Sequence, residues 1–185
     1  LVPNANQAEL ETMLTGTVST RTVGYNGPAT IHATGITDIA GRKRIVFDEN
    51  GLASYPATAT AKTRTRIDGV AAGRSGSGIV QRIATDRVYE SKSQAEAIGA
   101  QHAAARVRKR VEQQAATQLG KAHWNYINKM RNPLVRRREF PALLKLSTTE
   151  AELLMTALQA NRYQLGSPTE APKITVENDI AVQLH

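Results

Sequence analysis

The side chains best suited to bind a ligand by charge lie in two short basic clusters in the second half of the chain. They are Arg106, Arg108, Lys109 and Arg110 in the first cluster, and Arg136, Arg137 and Arg138 in the second. Guanidinium and ammonium groups bind carboxylate and phosphate oxygens. Residues 92–138 hold eleven lysines and arginines and two acidic residues. The net charge of this segment, +9, exceeds the net charge of the whole chain, +8. These seven residues are a predicted anion-binding site, and the alternative is a solvated helix face that keeps the protein in solution.

The histidines and carboxylates do not form a pattern that predicts a metal site or an enzyme. The chain has no cysteine, which excludes disulfides, thiolate ligands and a cysteine nucleophile. The four histidines are His32, His102, His123 and His185. No two of them have the spacing of three or four residues that places metal ligands on one helix face. We therefore expect no metal, no cofactor and no catalytic activity.

A glycine-rich stretch between residues 69 and 78 gives no chemical signature either. Gly73-Arg74-Ser75-Gly76-Ser77 comes close to the turn that presents a nucleophilic serine, but its last glycine is misplaced. The spacing also fits no phosphate-binding loop. This stretch is therefore predicted to be a connection.

The composition is that of a folded protein. Of the 185 residues, 41% are hydrophobic and 22% are charged, which argues against disorder. The apolar runs are too short to cross a membrane, so we expect no transmembrane segment.

The first 68 residues have the period of two that is typical of β-strands. Three runs alternate, Thr15–Val23, Ala29–Ile39 and Thr58–Ile67. Turns are predicted at 25–28, 40–43 and 48–51, with a short strand Arg44–Phe47 between the last two. In the third run the odd-numbered residues 59–67 should share one face and the even-numbered residues 58–66 the other.

Residues 79–131 are predicted to be helical. A short first helix should end at Ser91–Ser93, and Ser93 with Glu96 forms a capping pattern for a second helix over 93–131. That helix would be about 57 Å long. Asn132-Pro133 should end it, and Gly99 and Gly120 are candidate bend points.

Residues 142–185 are predicted to return to β-structure. Leu143–Leu146 and Leu153–Ala160 read as a hairpin, although a helix over Thr149–Tyr163 is the alternative. Ile174–Val176 and Ile180–Leu184 should form a last hairpin. The whole chain 1–185 is thus predicted to be a single α+β domain, in which an antiparallel sheet from both ends of the chain wraps one long central helix.

Several strings resemble an uncharacterised family of planctomycete bacterial proteins. They are Asn132–Pro141, Leu146–Thr149, Ala157–Ala160 and Thr22–Pro28. The resemblance covers most of the chain. It implies a bacterial protein that is periplasmic or secreted and a fragment of a longer chain. It carries no activity and no site residue.

These observations favour a noncatalytic structural or interaction module of the bacterial cell envelope. One alternative is a carrier of an apolar ligand such as a lipid, if a gap is left between the sheet and the helix over Ile98 to Leu119. Another is binding of nucleic acid or an anionic surface through the seven basic residues, which should weaken steeply with salt.

Overall fold

The long strands and the long helix have matching lengths. The computed structural model describes residues 1–26, 29–72 and 78–160. The elements are β1 (Ala8–Asn26), β2 (Ala29–Asp48), β3 (Gly51–Ser54), β4 (Thr58–Ala72), α1 (Gly78–Asn125), a π-helical segment (Tyr126–Arg131), α2 (Asn132–Arg137), β5 (Leu143–Thr148) and β6 (Leu153–Leu158). The 20 residues of β2 span about 66 Å, and the 48 residues of α1 span about 72 Å. The helix α1 packs on the sheet through β4, β2 and β3. The predicted α+β architecture is confirmed.

The strand β2 is the centre of the main sheet. Its one edge pairs antiparallel with β1 from Ala8↔Phe47 to Asn26↔Ala29. Its other edge pairs antiparallel first with β4 and then, near its C-terminal end, with β3. This leaves the outer edges of β1 and β4 at the two sides of the sheet.

The predicted alternation in β4 is confirmed. The even-numbered residues lie on the exposed face, where Arg64 pairs with Asp38 at 2.7 Å and Arg66 pairs with Asp68 at 2.8 Å. The odd-numbered residues Thr63, Thr65 and Ile67 are half-buried on the face toward α1. A bulge places Asp68 out of register, and Thr34 donates a hydrogen bond to its carboxylate.

The predicted turn at 40–43 is wrong, because β2 runs unbroken through it. Each of these residues has a partner in β1, as in the pairs Leu14↔Gly41 and Thr12↔Lys43. The side chain of Lys43 is buried under the helix. The strand thus continues because its pairing with β1 continues, although the local composition is typical of a turn. The hairpin at 48–51 is confirmed, and β3 beyond it was not predicted.

The predicted break at Ser91–Ser93 is also wrong. The helix α1 passes through it, and Ser91 Oγ donates to Arg87 O at 2.9 Å within the helix. Glu96 does not cap a helix start at Ser93 but accepts a hydrogen bond from the backbone N–H of Thr65. A serine that bonds back to its own helix does not have to end it. Gly99 and Gly120 both lie inside α1.

The helical rod continues six residues beyond the predicted end. The N–H of Asn132 bonds to Ile127 O, five residues back, at the end of the π-helical segment. Pro133 follows in the first turn of α2, where a missing N–H costs little. The rod ends at Arg138, which has a left-handed backbone conformation with φ of 61°.

The C-terminal hairpin packs at the far end of the sheet. The pairing of β5 with β6 confirms the predicted hairpin, and the alternative helix is wrong over its described part, 149–160. Leu144 and Leu146 bury against Ala8, with Phe47 and Phe140 beside them. Tyr163 and the last predicted hairpin lie outside the described residues.

Candidate functional site: a groove between the sheet and the long helix

An elongated groove of about 870 Å³ separates the sheet from the first half of α1. Its floor consists of rows of residues that are aligned across β1, β2 and β4. The rows are Val18, Thr37 and Thr63, then Thr20, Gly35 and Thr65, then Thr22, Ala33 and Ile67. The volume lies within the range of about 300–1,000 Å³ that is typical of small-molecule sites.

The helix contributes one stripe of small and apolar residues to the groove. Val88, Ala95, Gly99, Ala103 and Val107 lie along it. Their spacing of mostly four residues keeps them on one face of the helix. The apolar area of the lining therefore comes from both the helix and the sheet.

The groove exists because small residues meet where large ones normally fill the space between a helix and a sheet. A Cβ on Gly99 would already lie 3.7 Å from Thr63 Cγ2, so α1 is close to β4. Gly35 leaves room for Thr20, whose Oγ1 would lie 2.9 Å from a Cβ at that glycine. With glycine, alanine and threonine at these positions, the side chains do not reach across the space over β2 and β1.

One end of the groove is closed where two valines of α1 pack on Gly41 of β2. A Cβ on Gly41 would lie 3.0 Å from Val107 Cγ1 and 3.4 Å from Val111 Cγ2. Just beyond, Lys43 Nζ contacts Glu112 Oε1 at 2.6 Å. The alternative of an apolar carrier required a gap over Ile98 to Leu119. The groove lies over residues 87–107 and overlaps only the first part of that range, because Val107 and Val111 close it.

Two carboxylates of α1 bind backbone N–H groups along β4. Glu96 accepts the N–H of Thr65 beside the groove, and Glu112 Oε2 accepts that of Ala57, just before β4 at the closed end of the groove, at 2.8 Å. The N–H of Thr65 would otherwise be unpaired at the outer edge of the sheet. The helix is thereby fixed along β4.

The opposite side of the groove, along β1, is open. The helix packs on β4, β2 and β3. In β1 the groove residue Val18 is 45% exposed, and Thr20 and Thr22 are exposed as well. An apolar surface beside the helix is thus accessible from solvent.

The charged residues of the groove lining are all basic. They are Arg87, Lys92 and Arg106, and His102 lies four residues before Arg106. Lys92 pairs with Glu96 at 3.9 Å. Within the described part of the chain, Arg87 and Arg106 form no ion pair. The groove is therefore apolar with a positive rim.

The structure separates the predicted anion-binding residues into three groups. Arg106 lines the groove, whereas the side chains of Arg108, Lys109 and Arg110 are exposed on α1 and do not line it. Arg136, Arg137 and Arg138 are exposed at the end of the rod. Thirty residues separate the starts of the two clusters, about 45 Å along a helix, so they do not form one site.

The three histidines within the described residues have different surroundings, and His102 lies in the groove lining. His32 is exposed on β2, and His123 Nδ1 lies 3.1 Å from Leu52 O. Among the residues described, no three His, Asp or Glu side chains converge as metal ligands. His185 lies outside them.

The groove was missed as a set of residues by the sequence reasoning. The usable signal was the coincidence of Gly35, Thr63 and Thr65 on the helix-facing side of alternating strands with a small-residue stripe on α1. Recognising it requires the register between β2 and β4, which the sequence did not provide.

Comparison of the chain with protein-family models, with curated proteins and with solved structures finds no match in any of the three. Of the helices in residues 78–160, none combines the length and the apolar character needed to span a membrane.

Proposed function

We propose that this protein is a noncatalytic carrier that holds the hydrocarbon chain of an amphiphile in the groove between the sheet and α1. The observation that carries the proposal is the groove of about 870 Å³, whose floor and roof are built from apolar and small side chains. A linear hydrocarbon chain fits an elongated space better than a compact ligand does. The proposal takes up the carrier of an apolar ligand that the sequence offered as an alternative, and it specifies the class of ligand.

The exposed apolar surface supports the proposal. Val18 is nearly half exposed although it faces the helix side of the sheet. Burial of apolar surface contributes about 25 cal/mol per Å². A bound hydrocarbon chain would cover Val18, Ile31 and Val88 together. The free energy of burying this apolar surface would drive binding.

Nucleic-acid binding has less support. The two basic clusters are far apart, and among the described residues the cation over the exposed ring of Trp124 is Lys129, which belongs to neither cluster, at 5.8 Å from the ring centroid. Recognition of single strands uses basic grooves with several stacking aromatics. The periplasmic or secreted location remains a proposal that is based on the resemblance alone.

The experiment is a chain-length series of neutral alcohols, from decanol to hexadecanol, which displace the neutral fluorescent probe N-phenyl-1-naphthylamine. Each buried methylene contributes about 0.8 kcal/mol, so the affinity should rise about fourfold per carbon until the groove is full. Absence of displacement, or an affinity that does not depend on chain length, would contradict a chain-binding groove.

A further inference from the structure

We infer that the ligand is a single-chain anionic amphiphile, whose carboxylate or phosphate headgroup binds at Arg106 and whose tail runs along the groove toward Val88. This inference rests on the proposed chain-binding function and names the ligand class of that same groove. It follows from the distribution of charge in the lining and from the closed end of the groove.

The lining favours an anion because its charges have one sign. Arg87, Lys92 and Arg106 line the groove, and no Asp or Glu does so among the described residues. A neutral chain would leave Arg87 and Arg106 without a counterion beside an apolar wall. An anionic headgroup pairs with one of them while the tail covers the apolar residues.

The helix segment around Arg106 has an uncompensated positive charge. The fifteen residues 97–111 contain no Asp or Glu. Within the four residues that follow Arg106 they contain Arg108, Lys109 and Arg110. Residues beside it on the helix add to the local positive potential even where they do not touch the ligand. His102, one turn before Arg106, provides a second nitrogen donor on the same flank of the groove.

The other two cations of the lining are less suited to the headgroup. Lys92 is already paired with Glu96, which in turn holds the N–H of Thr65. Arg87 lies 19 residues before Arg106, about 28 Å along the helix, so one headgroup cannot contact both arginines.

The closed end of the groove fixes the direction of the tail. Immediately past Arg106, Val107 and Val111 pack over Gly41, and no room is left for a chain on that side. In the opposite direction the lining is Ala95, Val88, Ile67 and Ile31. A headgroup at Arg106 therefore places the whole tail on the apolar part of the groove.

The test compares three probes of equal chain length: hexadecanoate, hexadecyl phosphate and neutral hexadecanol. Their dissociation constants are measured for the wild-type chain and for Arg106→Gln, Arg87→Gln and Lys121→Gln. Lys121 is the matched control because it is an exposed cation on the same helix that neither lines the groove nor belongs to the basic segment around Arg106. Circular dichroism verifies that each variant is folded.

We expect both anions to bind the wild type more tightly than hexadecanol does. Arg106→Gln should weaken both anions about fivefold and leave hexadecanol unchanged, since an exposed ion pair has a modest strength. Lys121→Gln should change none of the three by more than about twofold, and Arg87→Gln should weaken the anions less than Arg106→Gln does. The anion preference should also shrink as salt is raised.

Each contrary outcome is assigned to one of the two proposals. Tight hexadecanol binding with no preference for anions contradicts the headgroup site and leaves the chain-binding groove in place. A larger effect of Arg87→Gln than of Arg106→Gln overturns the proposed orientation. Anion binding without any binding of hexadecanol contradicts the chain-binding groove itself, because the charge would then act without the tail.

Discussion

Lys43 Nζ donates a hydrogen bond to Glu112 Oε1 over 2.6 Å, and this pair joins the second half of α1 to the C-terminal part of the central strand β2. The lysine side chain is 2% exposed and that of the glutamate 48%. Glu112 also accepts the backbone N–H of Ala57 through its other oxygen. One carboxylate thus satisfies a buried ammonium group and an N–H just before β4, at the closed end of the groove.

Replacement of Glu112 by Gln should destabilise the fold, because Lys43 would remain buried without a counterion. We expect the melting temperature to fall by several degrees, as measured by circular dichroism. Glu90→Gln is the control, since Glu90 is exposed on the same helix and forms no ion pair with another described residue. Equal melting temperatures for the two variants would show that the buried lysine does not need this partner.

The same contact predicts how stability changes with acid. The hydrogen bond from Lys43, and next that from Ala57, lowers the pKa of Glu112 below its ordinary value of 4.5. A lowered folded-state pKa stabilises the protein above pH 4.5, and this contribution is lost as the pH falls through the folded-state value. Urea unfolding measured from about pH 6 to about pH 3 should therefore show parallel stabilities above pH 4.5 and a steeper acid loss below it in the wild type than in Glu112→Gln. Parallel curves for the two proteins would contradict this linkage.

Gly51 should not tolerate a side chain. Its φ of 119° disfavours other residues, and a Cβ would lie 2.6 Å from His123 Nδ1. We expect Gly51→Ala to lower the free energy of unfolding by about 1–3 kcal/mol, measured in urea. Gly120→Ala, at a helix position where a Cβ meets nothing within 4 Å, should instead raise it by about 0.8–1 kcal/mol. A neutral Gly51→Ala would mean that the contact between the β2–β3 turn and the helix yields easily.

A bulky side chain inside the groove should block the ligand without unfolding the protein. Ala95 and Ala97 are both exposed on α1, but of the two only Ala95 lines the groove. Ala95→Trp should reduce hexadecanol affinity at least about tenfold, because an indole occupies space that several methylenes would fill. Ala97→Trp should leave the affinity unchanged. If titration calorimetry gave the same affinity for both variants, the ligand would lie elsewhere.

The sequence predicted the parts of this fold that depend on local pattern. The alternation in β4 and the hairpin of β5 and β6 were correct, because side-chain period and short turns are encoded locally. The turn at 40–43 was wrong because pairing of β2 with β1 outweighs the local turn signal there. Ser91–Ser93 failed for a similar reason, since Ser91 bonds back into the helix.

The candidate site was harder to predict because it depends on what is missing between two elements. Arg106 was singled out by its charge, but its neighbour in the groove, His102, was considered only for the spacing of metal ligands. The volume itself arises from Gly35 and Gly99, which belong to segments more than sixty residues apart. Only the register of the sheet and the position of the helix place these small residues around one space.

The uncovered side of the groove along β1 has a kinetic consequence. A hydrocarbon chain in a groove that is open along its length can dissociate through the open side, so that all its methylenes become exposed to water at once. The hydrogen bonds of Glu96 and Glu112 on the β4 side do not have to break for this. Loading would then be insensitive to tail length, while residence time grows with every carbon. Delivery and retention would be governed by the hydrocarbon itself, without a moving gate.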